Sequence, residues 1–225
     1  MKFLTFLNSG CIDICKNMLI SAEKVGINMD NFYIACLDDN AYDNLKHYKN
    51  SFLHINQPIT EYQNWTFNKM SGFRNIVKNK WSIIKKIYQE NKNLCWVDTD
   101  IVFVKNPLEL IQGHDKILFQ SESNVKNPKL TLGSGFMIFN DTKECESLVN
   151  ECGSNEIEDD MLIVNKIALG KYKDHIALLS SDFFPNGHLY YNQGKKEHAY
   201  IVHNNWMVGI EEKTKKFKNE KLWFL

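Results

Sequence analysis

The stretch Leu94-Cys95-Trp96-Val97-Asp98-Thr99-Asp100-Ile101-Val102-Phe103 decides how this chain is read. Four apolar residues in a row have the length and composition of a buried strand. The run ends in two carboxylates one residue apart, and apolar residues resume at once, so the acids interrupt a hydrophobic stretch and do not decorate a surface loop. Carboxylates placed at the rim of a sheet repel each other, and a divalent cation lets both stay charged at close range. A turn or capping pair is the plain alternative for such a triplet.

Working outward, similar apolar runs at Phe3–Leu7, Phe32–Leu37, Ile117–Phe119, Phe136–Phe139, Ile176–Leu179 and Ala199–Val202 predict further strands. Helical periodicity fills the gaps. Cys11, Cys15, Met18, Ala22 and Val25 share one face, as do Val77, Trp81, Ile84 and Tyr88, and Met161, Val164 and Ala168 follow more loosely. Gly26 and Gly170 stand where helices are expected to end. Strands alternating with helices predict an α/β architecture with a mostly parallel central sheet, Rossmann-like, flanked by helices. In such sheets ligands bind at the carboxyl ends of strands, near a switch in strand order. With no repeat, low-complexity block or Pro/Gly-rich linker, residues 1–225 are expected to form a single domain.

Composition narrows the function. Twenty-seven basic residues balance 27 acidic ones, which argues against nucleic acid as the main partner. No apolar run approaches the ~18 residues of a membrane span, and the opening Met1–Leu7 is too short for a signal-peptide core. The six cysteines, Cys11, Cys15, Cys36, Cys95, Cys145 and Cys152, form no C-x-x-C pair and read as small buried hydrophobes in a reducing compartment. A cytoplasmic location is expected. Arg74 is the only arginine, and lysine, asparagine and isoleucine are abundant. Their A+T-rich codons point to an A+T-rich genome, such as that of a parasite or a large DNA virus, with the host cytoplasm as the location in the viral case.

Two chemistries use an apolar run followed by D-x-D. Sugar transferases of the GT-A fold hold Mn²⁺ or Mg²⁺ with it, and haloacid-dehalogenase-type phosphatases use D-x-D-x-[TV], where Asp98 would be the nucleophile and Asp100 the acid/base. The triplet alone does not decide. The C-terminal region adds Ala199-Tyr200-Ile201-Val202, then His203-Asn204-Asn205-Trp206, Gly209 and Lys213. A neutral imidazole at a strand end complements two carboxylates as a third metal ligand. Gly209 lets backbone approach a phosphate, and Lys213 offers a compact positive charge. A capped strand before a solvated lysine-rich helix explains the same residues without a ligand. His47, His54, His114, His175, His188 and His198 show no metal-ligand spacing. Trp65, Phe67 and Phe73 surround Lys69 and Arg74 in a segment readable as a mobile loop, an acceptor platform or ordinary packing.

Taken together, Asp98-Thr99-Asp100-Ile101-Val102-Phe103 with Asn106-Pro107, Gly135-Phe136-Met137-Ile138, and His203-Asn204-Asn205-Trp206 with Gly209 and Lys213 resemble, in order, the motifs of the nucleotide-diphospho-sugar transferase family. The likeness extends to plant xylosyl- and arabinosyltransferase relatives and to chlorella-virus glycosyltransferases. The phosphatase alternative leaves the last motif unexplained.

The resemblance implies a GT-A glycosyltransferase moving a sugar from a nucleotide donor, UDP-linked, to a hydroxyl acceptor on a glycan, protein or lipid. A binding module that keeps the fold without turnover is the non-enzymatic rival. By resemblance, Thr5, Asn8, Ser9 and Gly10 hold base and ribose, Asp38 and Lys80 contact the donor, and Gly133-Ser134-Gly135 flank its sugar. Asp98 (with Thr99 beside it), Asp100 and His203 form the Mn²⁺ or Mg²⁺ site, and Gly209 with Lys213 holds the diphosphate. Glu158-Asp159-Asp160-Met161, with Asn165, resembles the family's D-D-Q…N helix start. Met161 stands where many retaining members carry glutamine, which leaves Asp160, with Asp159 beside it, as base or acceptor clamp. Three acids opening a helix also simply favour its dipole.

Overall fold

The computed structural model describes residues 1–54, 70–123, 131–154 and 159–225, and the side chains of 70–78 fall outside that description. The segment with Trp65, Phe67 and Lys69, the side chains of Phe73, Arg74 and Val77, and Glu158 therefore lie outside the described residues.

The chain alternates as its periodicity dictates. Strand β1 (Lys2–Leu7) leads into α1 (Ile12–Lys24), whose apolar face carries Cys15, Met18 and Ala22, and Gly26 follows it at φ 81°, a conformation that glycine adopts without strain. Strand β2 (Phe32–Cys36), α2 (Asp39–Leu45) and β3 (Asn50–Leu53) come next, then the long helix α3 (Met70–Glu90) and β4 (Leu94–Val97). Past the acidic turn lie β5 (Ile101–Phe103), α4 (Leu108–Ile111), β6 (Ile117–Ser121) and β7 (Leu132–Phe139). Helices α5 (Lys143–Gly153) and α6 (Asp160–Lys171), β8 (Ile176–Leu178), α7 (Gly187–Asn192), β9 (Ile201–His203) and α8 (Ile210–Asn219) complete the order.

Seven strands form one sheet in the order β3-β2-β1-β4-β7-β6-β8, and β5 pairs with β9 in a small second sheet. All strands of the large sheet run one way except β7, which is antiparallel to both neighbours, so the sheet is mostly parallel as expected. Side chains alternate between its two faces. Leu94 and Trp96 of β4 pack with α3, α5 and α6, whereas Cys95 and Val97 pack on the α1 side. Burial on both faces is why these strands read as continuous apolar runs.

Three details differ from the sequence reading. Strand β3 carries Asn-Ser-Phe-Leu on a half-exposed edge, too polar for an apolar-run search to find. Gly170 falls in the last turn of α6, one residue before its end at Lys171, and not just past it as Gly26 does for α1. The last strand starts at Ile201 and includes His203, which pairs with Ile101. The six cysteines are free, five of them buried. No helix among the described residues is long and apolar enough to cross a membrane.

Candidate active site

From β1 the chain moves outward to β2 and β3, then returns to place β4 on the other flank of β1. The crevice beyond the carboxyl ends of β1 and β4 is therefore the switch in strand order, where α/β sheets bind ligands. Asn8-Ser9-Gly10 follows β1 there, and Asp98-Thr99-Asp100 follows β4.

Asp98, Asp100 and His203 meet at this point, each offering one ligand atom, all within 4.8 Å of one another. Backbone pairing makes the meeting obligatory: Asn204 N–H donates to Asp100 O (2.9 Å) and the β5–β9 ladder sets Ile101 opposite His203. Lys213 Nζ donates to Asp100 Oδ2 (2.6 Å), and His203 Nε2 lies 3.5 Å from Asp100 Oδ1. Burial alone would raise the Asp100 pKa, but the Lys213 ammonium and the imidazole hold it well below the usual carboxylate range. Burial would lower His203, and the Asp100 charge outweighs it and raises it.

The His203 ring is oriented from behind. Gln120 Nε2 donates to the carbonyls of Pro185 (2.9 Å) and Phe184 (3.3 Å), which fixes its Oε1 as the acceptor facing His203 Nδ1 at 2.6 Å. Nδ1 thus carries a proton, and Nε2 faces the two carboxylates. In front of the ring stands Gly135, where a Cβ would lie 2.2 Å from His203 Cε1, 2.8 Å from Nε2 and 3.0 Å from Asp98 Oδ2. The β6–β7 register slips here: Phe119 faces Met137 but Ser121 faces Leu132, so Gly133-Ser134-Gly135 bulges out of the ladder toward the site. These three residues, expected to flank the donor sugar, are the bulged part of strand β7.

Lys80 is buried and points its ammonium into the same cluster, donating to the Ser134 carbonyl (2.6 Å), Asp160 Oδ2 (2.7 Å) and Asp98 Oδ1 (3.2 Å). Trp96 Nε1 donates to Asp98 Oδ1 as well (2.7 Å), and its ring lies under Lys80 Nζ at 4.7 Å. Burial would raise Asp160, yet Lys80 and hydrogen bonds from Ser134 and the Met161 amide keep it below its ordinary value. Asp159 behaves differently: it is exposed and caps α6 through Leu162 N–H (2.9 Å). Asn165 reaches back from the same helix to bind both backbone groups of Leu132.

At the β1 end, Asp38 uses both oxygens on the turn, accepting from Ser9 N–H (2.7 Å) and Ser9 Oγ (2.6 Å), and also caps α2 through Ala41 N–H (2.8 Å). It shapes the loop after β1 and holds Ser9 in place. Thr5 Oγ1 is buried and has no hydrogen-bond partner among the described residues.

Beyond His203, Asn204 accepts from Tyr191 Oη and donates to Lys213 O (2.9 Å), which ties α7 and α8 to β9. Asn205 Oδ1 accepts from Gly187 N–H (2.6 Å), and its amide donates to Glu122 Oε1. Trp206 Nε1 donates to Glu122 Oε2 (3.0 Å). Gly209, at φ 93°, opens α8 with no side-chain cap, leaving the helix N-terminus free to face an anion next to Lys213.

The cluster fits a divalent cation. Hard oxygen ligands plus one imidazole suit Mn²⁺ or Mg²⁺. Carboxylates of Asp98, Asp100, Asp160 and Glu122 outnumber the ammonium groups of Lys80 and Lys213, so the cluster favours added positive charge. Gly135 keeps open the space that a Cβ would take. Sequence reading missed Gln120 and Glu122, which arrive from β6 and the position after it with no spacing signal, and Trp96, which reads there only as part of the apolar run of β4. A glycine-rich strand was the available clue, since it marks close approach.

Comparison with known proteins identifies the family and the fold. The model of the nucleotide-diphospho-sugar transferases matches residues 27–217, and the chain belongs to that family. A UDP-galactose:fucoside alpha-3-galactosyltransferase of Dictyostelium discoideum is 22% identical over 100% of this chain and 43% of its own length. UDP-D-xylose:L-fucose alpha-1,3-D-xylosyltransferase 3 of Arabidopsis thaliana is 24% identical over 68% of this chain and 48% of its own. The chain thus spans about half the length of the curated relatives it matches. Among solved structures, a glycosyltransferase involved in glycosylating the major capsid of PBCV-1 superposes with TM-score 0.60 over 97% of this chain and 100% of its own at 12% identity. The galactosyltransferase LgtC, bound to donor and acceptor sugar analogues, gives TM-score 0.58 over 97% and 96% at 10% identity. The fold is that of the GT-A glycosyltransferases.

Proposed function

We propose that this chain transfers a glycosyl group from a UDP-linked sugar to a hydroxyl of an acceptor glycan, with Mn²⁺ or Mg²⁺ held by Asp98, Asp100 and His203. The observation that carries the proposal is the convergence of these three ligands with Lys213 at the switch in strand order. The UDP donor is supported by the names of the relatives, which use UDP-galactose or UDP-xylose and act on fucosides or L-fucose.

A bound cation would supply Lewis-acid neutralisation of the diphosphate. The chain's own residues do the rest. Lys213 and the amides opening α8 face the charge that builds on the departing nucleoside diphosphate. Ser9 and Gly10, braced by Asp38, and the unpartnered Thr5 hydroxyl lie where the nucleoside would sit. Lys80 holds Asp98 and Asp160 in register, and Asp160, kept ionised, offers negative charge beside the sugar as its anomeric carbon becomes positive. The acceptor hydroxyl attacks that carbon as the bond to UDP breaks. Six free thiols fit the cytosol. The phosphatase alternative finds no support, since the family model that matches the chain and the relatives it resembles are those of sugar transferases.

Thermal stabilisation by UDP-, GDP- and CDP-sugars, each with Mn²⁺, Mg²⁺ or EDTA, tests the proposal. Ligand at 100 times its Kd adds about 2.7 kcal/mol, roughly a 5–11 °C rise for a chain of this size. A rise with UDP-sugars that disappears in EDTA and in Asp100→Ala is expected. No rise with any UDP-sugar in Mn²⁺ overturns the reading, and binding with no transfer to any glycan acceptor would leave a binding module.

A further inference from the structure

Trp206 is the residue of the closing motif that the metal site does not use, and three features set it apart from an ordinary exposed tryptophan. It is 55% exposed, although the three residues before it are buried or half-buried. Its backbone sits at φ 66°, the left-handed region that a bulky side chain avoids unless its surroundings enforce it. Its indole is pinned at both ends: Nε1 donates to Glu122 Oε2 (3.0 Å), and the ring leans on His188, with centroids 5.5 Å apart at 46°.

The pin is itself built in. Glu122 also accepts from the Asn205 amide, and Asn205 is fixed by the N–H of Gly187 at the start of α7. At Gly187 a Cβ would meet Asn205 O at 2.5 Å and His203 O at 2.8 Å, so α7 presses directly against the strand that carries the metal ligand. On β7, a Cβ at Gly133 would meet Glu122 Cγ at 3.2 Å, and one at Gly135 would meet the His203 ring and Asp98. Two residues of chain span at most ~7 Å. The strand therefore places the indole's anchor one short step from the triad of Asp98, Asp100 and His203.

We infer that the free face of Trp206 is a stacking platform for a pyranose ring of the acceptor. This rests on the glycosyltransferase reading above and adds the acceptor's chemistry: a glycan ring with one face made of C–H groups, such as a fucoside. A flat, rigid aromatic face with its polar edge already satisfied is suited to C–H contact and loses little conformational freedom on binding. The left-handed backbone turns the indole outward, and Glu122 fixes its angle relative to the triad. An acceptor ring on this face would lie beside the β7 bulge and the triad, where the reading above puts the donor.

The test measures binding of methyl α-L-fucopyranoside by saturation-transfer NMR, with and without UDP and Mn²⁺, for the wild type, Trp206→Ala and Trp206→Phe. Loss of the indole in Trp206→Ala should weaken glycoside binding about tenfold, whereas Trp206→Phe, which keeps a ring but cannot donate to Glu122, should fall within about threefold of the wild type. UDP affinity in Mn²⁺, measured on the same samples, should stay the same in both variants. Equal glycoside binding by Trp206→Ala and the wild type overturns the inference, as does absence of glycoside binding to the UDP-loaded wild type. Failure of UDP to bind the wild type would bring down the donor reading instead, and the glycoside comparison still decides the platform.

Discussion

Replacing Gly135 by alanine puts the proposed metal site under a sharply defined load. The backbone at Gly135 has no positive φ, so alanine brings no conformational strain and the effect is steric alone. Its Cβ would lie 2.2 Å from His203 Cε1, and the imidazole must retreat 0.8 Å to reach even a 3.0 Å contact. Retreat is blocked, because the ring is 2% exposed and Gln120 stands 2.6 Å behind it, held by two backbone carbonyls. Overpacking of this kind costs about 1–3 kcal/mol, which corresponds to a Tm lower by roughly 2–12 °C in a protein of this size. The cost should appear in EDTA as well, since the clash is with protein atoms. Metal sites tolerate ligand displacements of about 0.2 Å, so Mn²⁺ affinity should fall by at least ~100-fold, the upper end of what losing an outer partner causes. Calorimetric titration of Mn²⁺ together with melting curves reads both quantities. Gly170→Ala is the control: with open space around its Cβ and a helical backbone, it should be neutral or stabilising by up to about 1 kcal/mol. A Gly135→Ala protein with wild-type Tm and wild-type Mn²⁺ affinity would refute the packing argument.

Further expectations concern the groups around the same cluster. Lys80→Met should lower unfolding free energy by about 3–5 kcal/mol in urea titrations, because Asp98, Asp160 and the Ser134 carbonyl lose a buried partner together; a change under 1 kcal/mol would show that the pair is not structural. Gln120→Leu should weaken Mn²⁺ binding about 10–100-fold by freeing the His203 ring, and unchanged affinity would remove Gln120 from the site. Burial pushes the Cys36 and Cys152 thiols up to about 12 and Cys11 to about 11. Native protein at pH 8 should accordingly react sluggishly with a thiol reagent, and unfolding in urea should release six equivalents; rapid labelling of the folded chain would contradict the burial.

How much of this was readable beforehand depends on where each signal lives. Strand β4 and its D-x-D were legible because a strand buried on both faces is a continuous apolar run, and its interruption by acids is local in sequence. Helix α1 was equally plain, with its apolar stripe and Gly26. By contrast, β3 is a half-exposed edge whose Asn50 and Ser51 carry no hydrophobic pattern. Gly133 and Gly135 stand out in the sequence, but the reason for Gly135 is spatial: it makes room for His203, which is far away in sequence. Gln120 and Glu122 could not be singled out, since a glutamine and a glutamate at a strand end look like any others until β9 lands beside them. Resemblance alone makes Asp38 a nucleotide contact; no pattern in the sequence announces that its oxygens bind Ser9 and Ala41.

The small sheet of β5 and β9 has a consequence for how the chain comes into being. Lys213 and Asp100 meet across 113 positions of sequence, and the strand pair that aligns them joins segments equally remote. During synthesis the parallel core of β1, β2 and β4 can assemble early, yet its acidic rim stays without His203 and Lys213 until that segment has left the ribosome. A nascent chain that stops short of it thus has the frame of the fold and only the two carboxylates of the proposed cation site. That site is therefore completed late, after the sheet that positions it.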